Sequence, residues 1–155
     1  MEMLEKRTLT TSRSLTYTYY ISPPSKPNLP IILLLHGWPD DAHMWCDLIT
    51  NHLLPGGYGV LAPDCLGYSG TSKPTTTSAY NSEGMAADLC EILGAERISK
   101  VISLGHDWSV IHDHLPKPGN VSPCPHADSK PGAAFLPNAS TCGTLTASSA
   151  SQCST

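Results

Sequence analysis

The chain has 155 residues, a formal net charge of −4 at pH 7 and 40% hydrophobic residues, enough length for one domain with a buried core. The charge is mild and unclustered, which excludes the basic footprint of a nucleic-acid binder, and the longest apolar run, residues 30–35, is too short to span a bilayer. The amino terminus mixes charges without an apolar signal core, so the reading is cytoplasmic.

Residues 7–11 and 14–21 are expected to pair as a hairpin, the second with Leu15, Tyr17, Tyr19 and Ile21 on one face. Pro23-Pro24-Ser25-Lys26-Pro27 is a loop. Ile31-Ile32-Leu33-Leu34-Leu35 is a continuous apolar run, as a strand buried on both faces of a parallel sheet requires. Residues 41–53 read as a helix, with Met44, Trp45, Leu48, Ile49 and Leu53 on one side and Pro55-Gly56-Gly57 ending it. A second short buried strand follows at 58–62, a helix at 81–93 closed by Gly94, and a third short strand at 100–104. Strands alternating with helices imply right-handed crossovers and an α/β sheet. From Pro116 onward Pro, Ser, Thr, Ala and Gly dominate, too little apolar surface to offset the entropy of ordering. The chain therefore divides into a folded part, 1–115, and a tail, 116–155, expected to be disordered. Six cysteines, with no C-x-x-C and no ligand spacing, read as free thiols in a reducing compartment; neither metal nor cofactor is expected.

Gly105-His106-Asp107-Trp108-Ser109 follows the third strand directly. A buried strand entering a tight turn between small residues is the layout of a nucleophile elbow, with Asp where the commoner form has Ser. A carboxylate is ionised at neutral pH without a helping base. It suits attack on an electrophilic saturated carbon, giving an ester. An aspartate at a turn tip is also an ordinary turn residue, so the accompanying segments decide.

Those segments are His36-Gly37-Trp38-Pro39-Asp40 after one strand, residues 64–74 (DCLGYSGTSKP) after the next, Met85-Ala86-Ala87-Asp88-Leu89 in the second helix, and the elbow itself. Over residues 17–109 the chain resembles the soluble epoxide hydrolases of the α/β-hydrolase fold. More loosely it resembles the haloalkane and haloacid dehalogenases that share an Asp nucleophile. The resemblance implies an α/β-hydrolase core, Asp107 as nucleophile, and the backbone N–H groups of Trp38 and Trp108 as oxyanion-hole donors. It also implies a cis Trp38-Pro39 bond. Gly37 and Gly105 allow close packing, and His36, Pro39 and His106 support the turns. Asp64 reads as a carboxylate bracing its loop, and residues 67–70 (GYSG) are not a second elbow, because no helix follows. An aromatic residue at 38 favours an epoxide over a haloalkane as the small-molecule partner.

The chain departs from that pattern after the elbow. The family's later His and acid, which activate water for the second half-reaction, have no match at His112, His114 or His126. The cap and the last strands have none either, and Ser109 stands where the family has Gly. The expectation is an incomplete core and an impaired or inactive hydrolase, from a premature end, a frameshift or an unspliced gene model. The third strand would be an open apolar edge prone to self-association. The alternative is a non-catalytic remnant that binds a partner.

Overall fold

The computed structural model describes residues 1–107. Its five strands form one sheet in the order β1-β2-β4-β3-β5. β1 (Glu5–Thr10) and β2 (Thr16–Ser22) pair antiparallel as the expected hairpin. β2 also runs antiparallel to β4 (Gly59–Pro63), while β4, β3 (Ile31–Leu35) and β5 (Val101–Gly105) are mutually parallel through β3. These bounds fall within two residues of the sequence reading. The α/β expectation holds.

The apolar runs of β3 and β4 are continuous because both faces are covered. On one face Tyr17, Tyr19, Ile21, Leu33, Leu35 and Leu61 meet Ala86, Leu89 and Ile92 of the second helix, α2 (Ser82–Ala95). On the other, Tyr20, Ile32, Leu34, Val60 and Ala62 meet Ala42 and Ile49 of α1 (residues 42–56). The period-two face read for β2 is therefore correct, and its opposite face is buried as well.

Both helices outrun their expected ends. α1 begins as a 3-10 turn (Ala42–Trp45) capped by the Asp41 carboxylate, and continues through Pro55 to Gly56. Proline lacks an N–H and would break an α-helical ladder at that point. Here the chain widens to π winding over Ile49–Leu53, and Pro55 falls in the first positions of a fresh α turn, where its missing N–H costs little. Gly57, at φ 93°, ends the helix. α2, capped by the Asn81 side chain, runs through Gly94 to Ala95. The left-handed terminating position is taken by Arg97 (φ 57°) instead. Arg97 N–H donates to Gly94 and Ile98 N–H to Leu93, the two bonds of a Schellman ending.

The hairpin is tied to α2 by polar side chains. Arg13 and the Tyr17 hydroxyl donate to the fully buried Asp88 at 2.6 and 2.9 Å, Ser12 N–H donates to Glu91, and Arg7 and Tyr19 both donate to Glu96. A Cβ on Gly84 would come within 2.7 Å of the Arg13 guanidinium, so the bare helix surface there makes room for it. Burial, and then the carboxylates of Asp88 and Glu96, push the Tyr17 and Tyr19 phenols well above the usual range. Among the described residues, no helix is long and apolar enough to cross a membrane.

Candidate active site

β3 and β5 are adjacent, parallel and in register from Ile31↔Val101 to Leu35↔Gly105. The ladder continues one step past the strands, where His106 N–H donates to Leu35. Carried one residue further, that register sets Gly37 beside Asp107. This is why position 37 needs a glycine: a Cβ there would lie 2.5 Å from the Asp107 Cβ and 2.9 Å from its Oδ2. Asp107 itself sits at φ 59°, the left-handed region uncommon for a non-glycine residue though more often visited by Asp. A strand end followed by an acidic residue on such a backbone is how an elbow begins.

The turn after β3 aims a donor at this carboxylate. Trp38 N–H donates to Asp107 Oδ2 at 3.2 Å, and the Trp38-Pro39 bond is cis, as the sequence resemblance implies. Trp38 is 67% exposed, and its contact with Asp107 is made by its backbone. The second expected donor, Trp108, lies outside the described residues, as do Ser109, the later histidines and the tail.

Behind the donor stands His36, buried in the core. Its Nδ1 lies 3.0 Å from the Gly37 carbonyl and its Nε2 2.8 Å from the Cys65 N–H. These bonds require the neutral tautomer with its proton on Nδ1. The imidazole thus joins the carboxyl ends of β3 and β4, the bracing role read from sequence. The Cys65 thiol, partly buried beside Asp64, is pushed up to about 12, first by burial and then by that charge, which keeps it protonated at neutral pH. Asp64 is a brace too, accepting from Ala42 N–H at 3.1 Å and Gly70 N–H at 3.3 Å.

Sequence reading gave Tyr68 no role of its own, naming it only within the 64–74 segment and a rejected elbow. The Tyr68 ring meets the His36 imidazole edge-on at 5.0 Å. Its phenol is pushed upward by burial, then by Cys65 and Asp107, so it stays protonated beside the carboxylate. An open cleft lined by Pro24, Pro27, Ile31, Arg97 and Lys100 lies at the amino ends of β3 and β5. It lies away from Asp107.

β5 is the outer strand of the sheet among the described residues, and its Ile102 and Leu104 are 46% and 41% exposed.

A family model described as alpha/beta hydrolase fold matches residues 30–108. Epoxide hydrolase A of Mycobacterium tuberculosis is 37% identical over 86 residues, which is 56% of this chain and 26% of that protein. Epoxide hydrolase srdG of Neurospora crassa is 37% identical over 103 residues, 63% of this chain and 30% of its own length. A solved Vigna radiata epoxide hydrolase mutant superposes with a TM-score of 0.66 at 28% identity, covering 74% of this chain and 35% of that one. The chain thus spans about a quarter to a third of the length of these relatives.

Proposed function

The chain belongs to the alpha/beta hydrolase fold family, and on that footing we propose that it is an epoxide hydrolase-like member in which Asp107 is the nucleophile. One carboxylate oxygen attacks a ring carbon of the epoxide, the C–O bond of the ring breaks, and the freed alkoxide takes a proton from water, leaving hydroxide. A hydroxyalkyl ester on Asp107 results. Water attack on that ester creates an oxyanion. The Trp38 N–H, already directed at the carboxylate, is placed to stabilise it, with the Trp108 N–H as its partner by resemblance. The observation that carries this reading is the 3.2 Å contact between a fixed backbone donor and a carboxylate on a left-handed turn. The similarity to epoxide hydrolases supports an epoxide over a haloalkane as substrate.

No residue of this chain is assigned as base for the second step, so we expect the ester to persist. General-base help is typically worth about 10²–10⁴-fold. Incubating the full chain with styrene oxide and measuring intact mass should give one adduct, mapped to Asp107 and absent in Asp107→Asn. Labelling confined to cysteines would reject the nucleophile, and rapid diol formation would reject the arrested ester. The division at residue 115 is likewise a proposal, from composition, which limited proteolysis with mapped cut sites tests.

A second reading, a non-catalytic chain that associates through its sheet edge, is favoured by the exposed Ile102 and Leu104. Concentration-dependent sedimentation of Asp107→Asn separates it from the first, because association would survive the loss of chemistry.

A further inference from the structure

We infer that Tyr68 is a positioning residue for the Trp38 donor: its ring, set edge-on against His36, fixes the imidazole that holds the Gly37-Trp38 turn against Asp107. This rests on the proposed reading of Asp107 and Trp38 as the reaction centre.

The argument starts from the geometry of the imidazole. His36 is held at Nδ1 by the Gly37 carbonyl and at Nε2 by the Cys65 N–H. The ring turns about its Cβ–Cγ bond, and a turn misdirects both bonds together. A contact besides those two bonds resists it. Tyr68 supplies one, at 5.0 Å between centroids with the planes 83° apart, the perpendicular arrangement that aromatic rings favour. The consequence reaches the nucleophile directly. The Gly37 carbonyl held by His36 and the Trp38 N–H that meets Asp107 Oδ2 belong to one planar peptide unit.

Tyr68 is itself well placed for the task. Its N–H donates to the Cys65 carbonyl and its own carbonyl accepts from Thr71 N–H. The loop is further held by Gly70 N–H on Asp64, by Gly67 N–H on Ser72, and by Lys73 on the Ser69 and Thr71 carbonyls. A ring carried on a loop tied at these points is a fixed wall. It also brings no charge toward the carboxylate, since its phenol stays protonated.

The test uses the full chain and two readouts. One is the rate at which the styrene oxide ester on Asp107 is lost to water; the other is the Trp38 backbone amide resonance, identified by its movement in Asp107→Asn. Tyr68→Phe keeps the ring and should leave both within about twofold of wild type. Tyr68→Ala removes it, and should slow loss of that ester by about two- to tenfold, the range an aromatic pair of this kind is worth. It should also move the Trp38 amide while amides of residues 5–22 stay in place. Tyr68→Leu keeps most of the volume without the ring, and decides the matter if the alanine variant fails to fold. A Trp38 amide unmoved in both Tyr68→Leu and Tyr68→Ala would overturn the inference. So would equal loss in Tyr68→Phe, which would assign the effect to the hydroxyl. If wild type is never labelled at Asp107, the nucleophile reading fails, and the amide resonance still tests the role of Tyr68.

Discussion

At one edge of the sheet β1 carries Glu5, Lys6, Arg7, Thr8 and Thr10, mostly exposed, and its hairpin is bound to α2 through Asp88, Glu91 and Glu96. At the other edge β5 carries Val101, Ile102 and Leu104, and no described residue pairs with its outer side. Charged side chains are how proteins blunt an exposed strand edge, whereas apolar ones suit a strand with neighbours. β1 has the composition of a terminal strand and β5 that of an interior one. The candidate nucleophile stands at the end of the second. The candidate site and the blunted edge therefore sit at opposite sides of one sheet, and each can be perturbed without the other.

The largest expected effect is at the hairpin. Asp88→Ala removes a buried acceptor shared by Arg13 and Tyr17, and should cost about 3 kcal/mol in urea unfolding. Arg13→Ala added to it should cost much less than the two single changes together, since both remove one contact. Alkali should act on the same side. Unfolded tyrosines lose protons from about pH 10 while folded Tyr17 and Tyr19 keep theirs. Above that pH the unfolded chain binds fewer protons, and stability falls by about 1.4 kcal/mol per pH unit for each tyrosine. Tyr17→Phe should flatten that decline in pH-dependent melts. Between the two sides lies Arg97, in the turn that leads from α2 toward β5. Arg97→Gly relieves its left-handed backbone and should stabilise by about 0.5–1 kcal/mol in the same assay. The smallest effect belongs to the edge at β5. Ile102→Lys and Leu104→Lys replace side chains that are nearly half exposed, and should shift stability by no more than about 0.5 kcal/mol while lowering any self-association in sedimentation.

Much of this was legible in the sequence because its signals are local. The apolar runs marked β3, β4 and β5, the alternation marked β2, and Gly-His-Asp after a strand marked the candidate site. The exceptions are instructive. Pro55 reads as a stop, and only the π turn before it shows how the helix continues. Gly94 reads as a cap, but the cap fell to Arg97. The bonds from Arg13, Ser12 and Arg7 to α2 join residues 75, 79 and 89 apart, a separation that leaves no local pattern. Tyr68 was hidden for the same reason: its importance lies in a contact with His36, on another strand's end.

The Trp38–Asp107 hydrogen bond spans 69 residues of chain, while the Thr10 and Thr16 hydroxyls that close the hairpin are 6 apart. Closing a long loop loses more entropy than closing a short one, and contacts of that kind return nothing until the ends have met. During folding the hairpin can therefore form early and alone, but the donor meets the carboxylate only after β3, β4, α2 and β5 have docked. Asp107 acquires its directed partner at the end of assembly, so a half-folded chain displays an ordinary carboxylate. Pulse-labelling hydrogen exchange during refolding should find the hairpin amides protected before the Trp38 amide, and the reverse order would contradict this sequence of events.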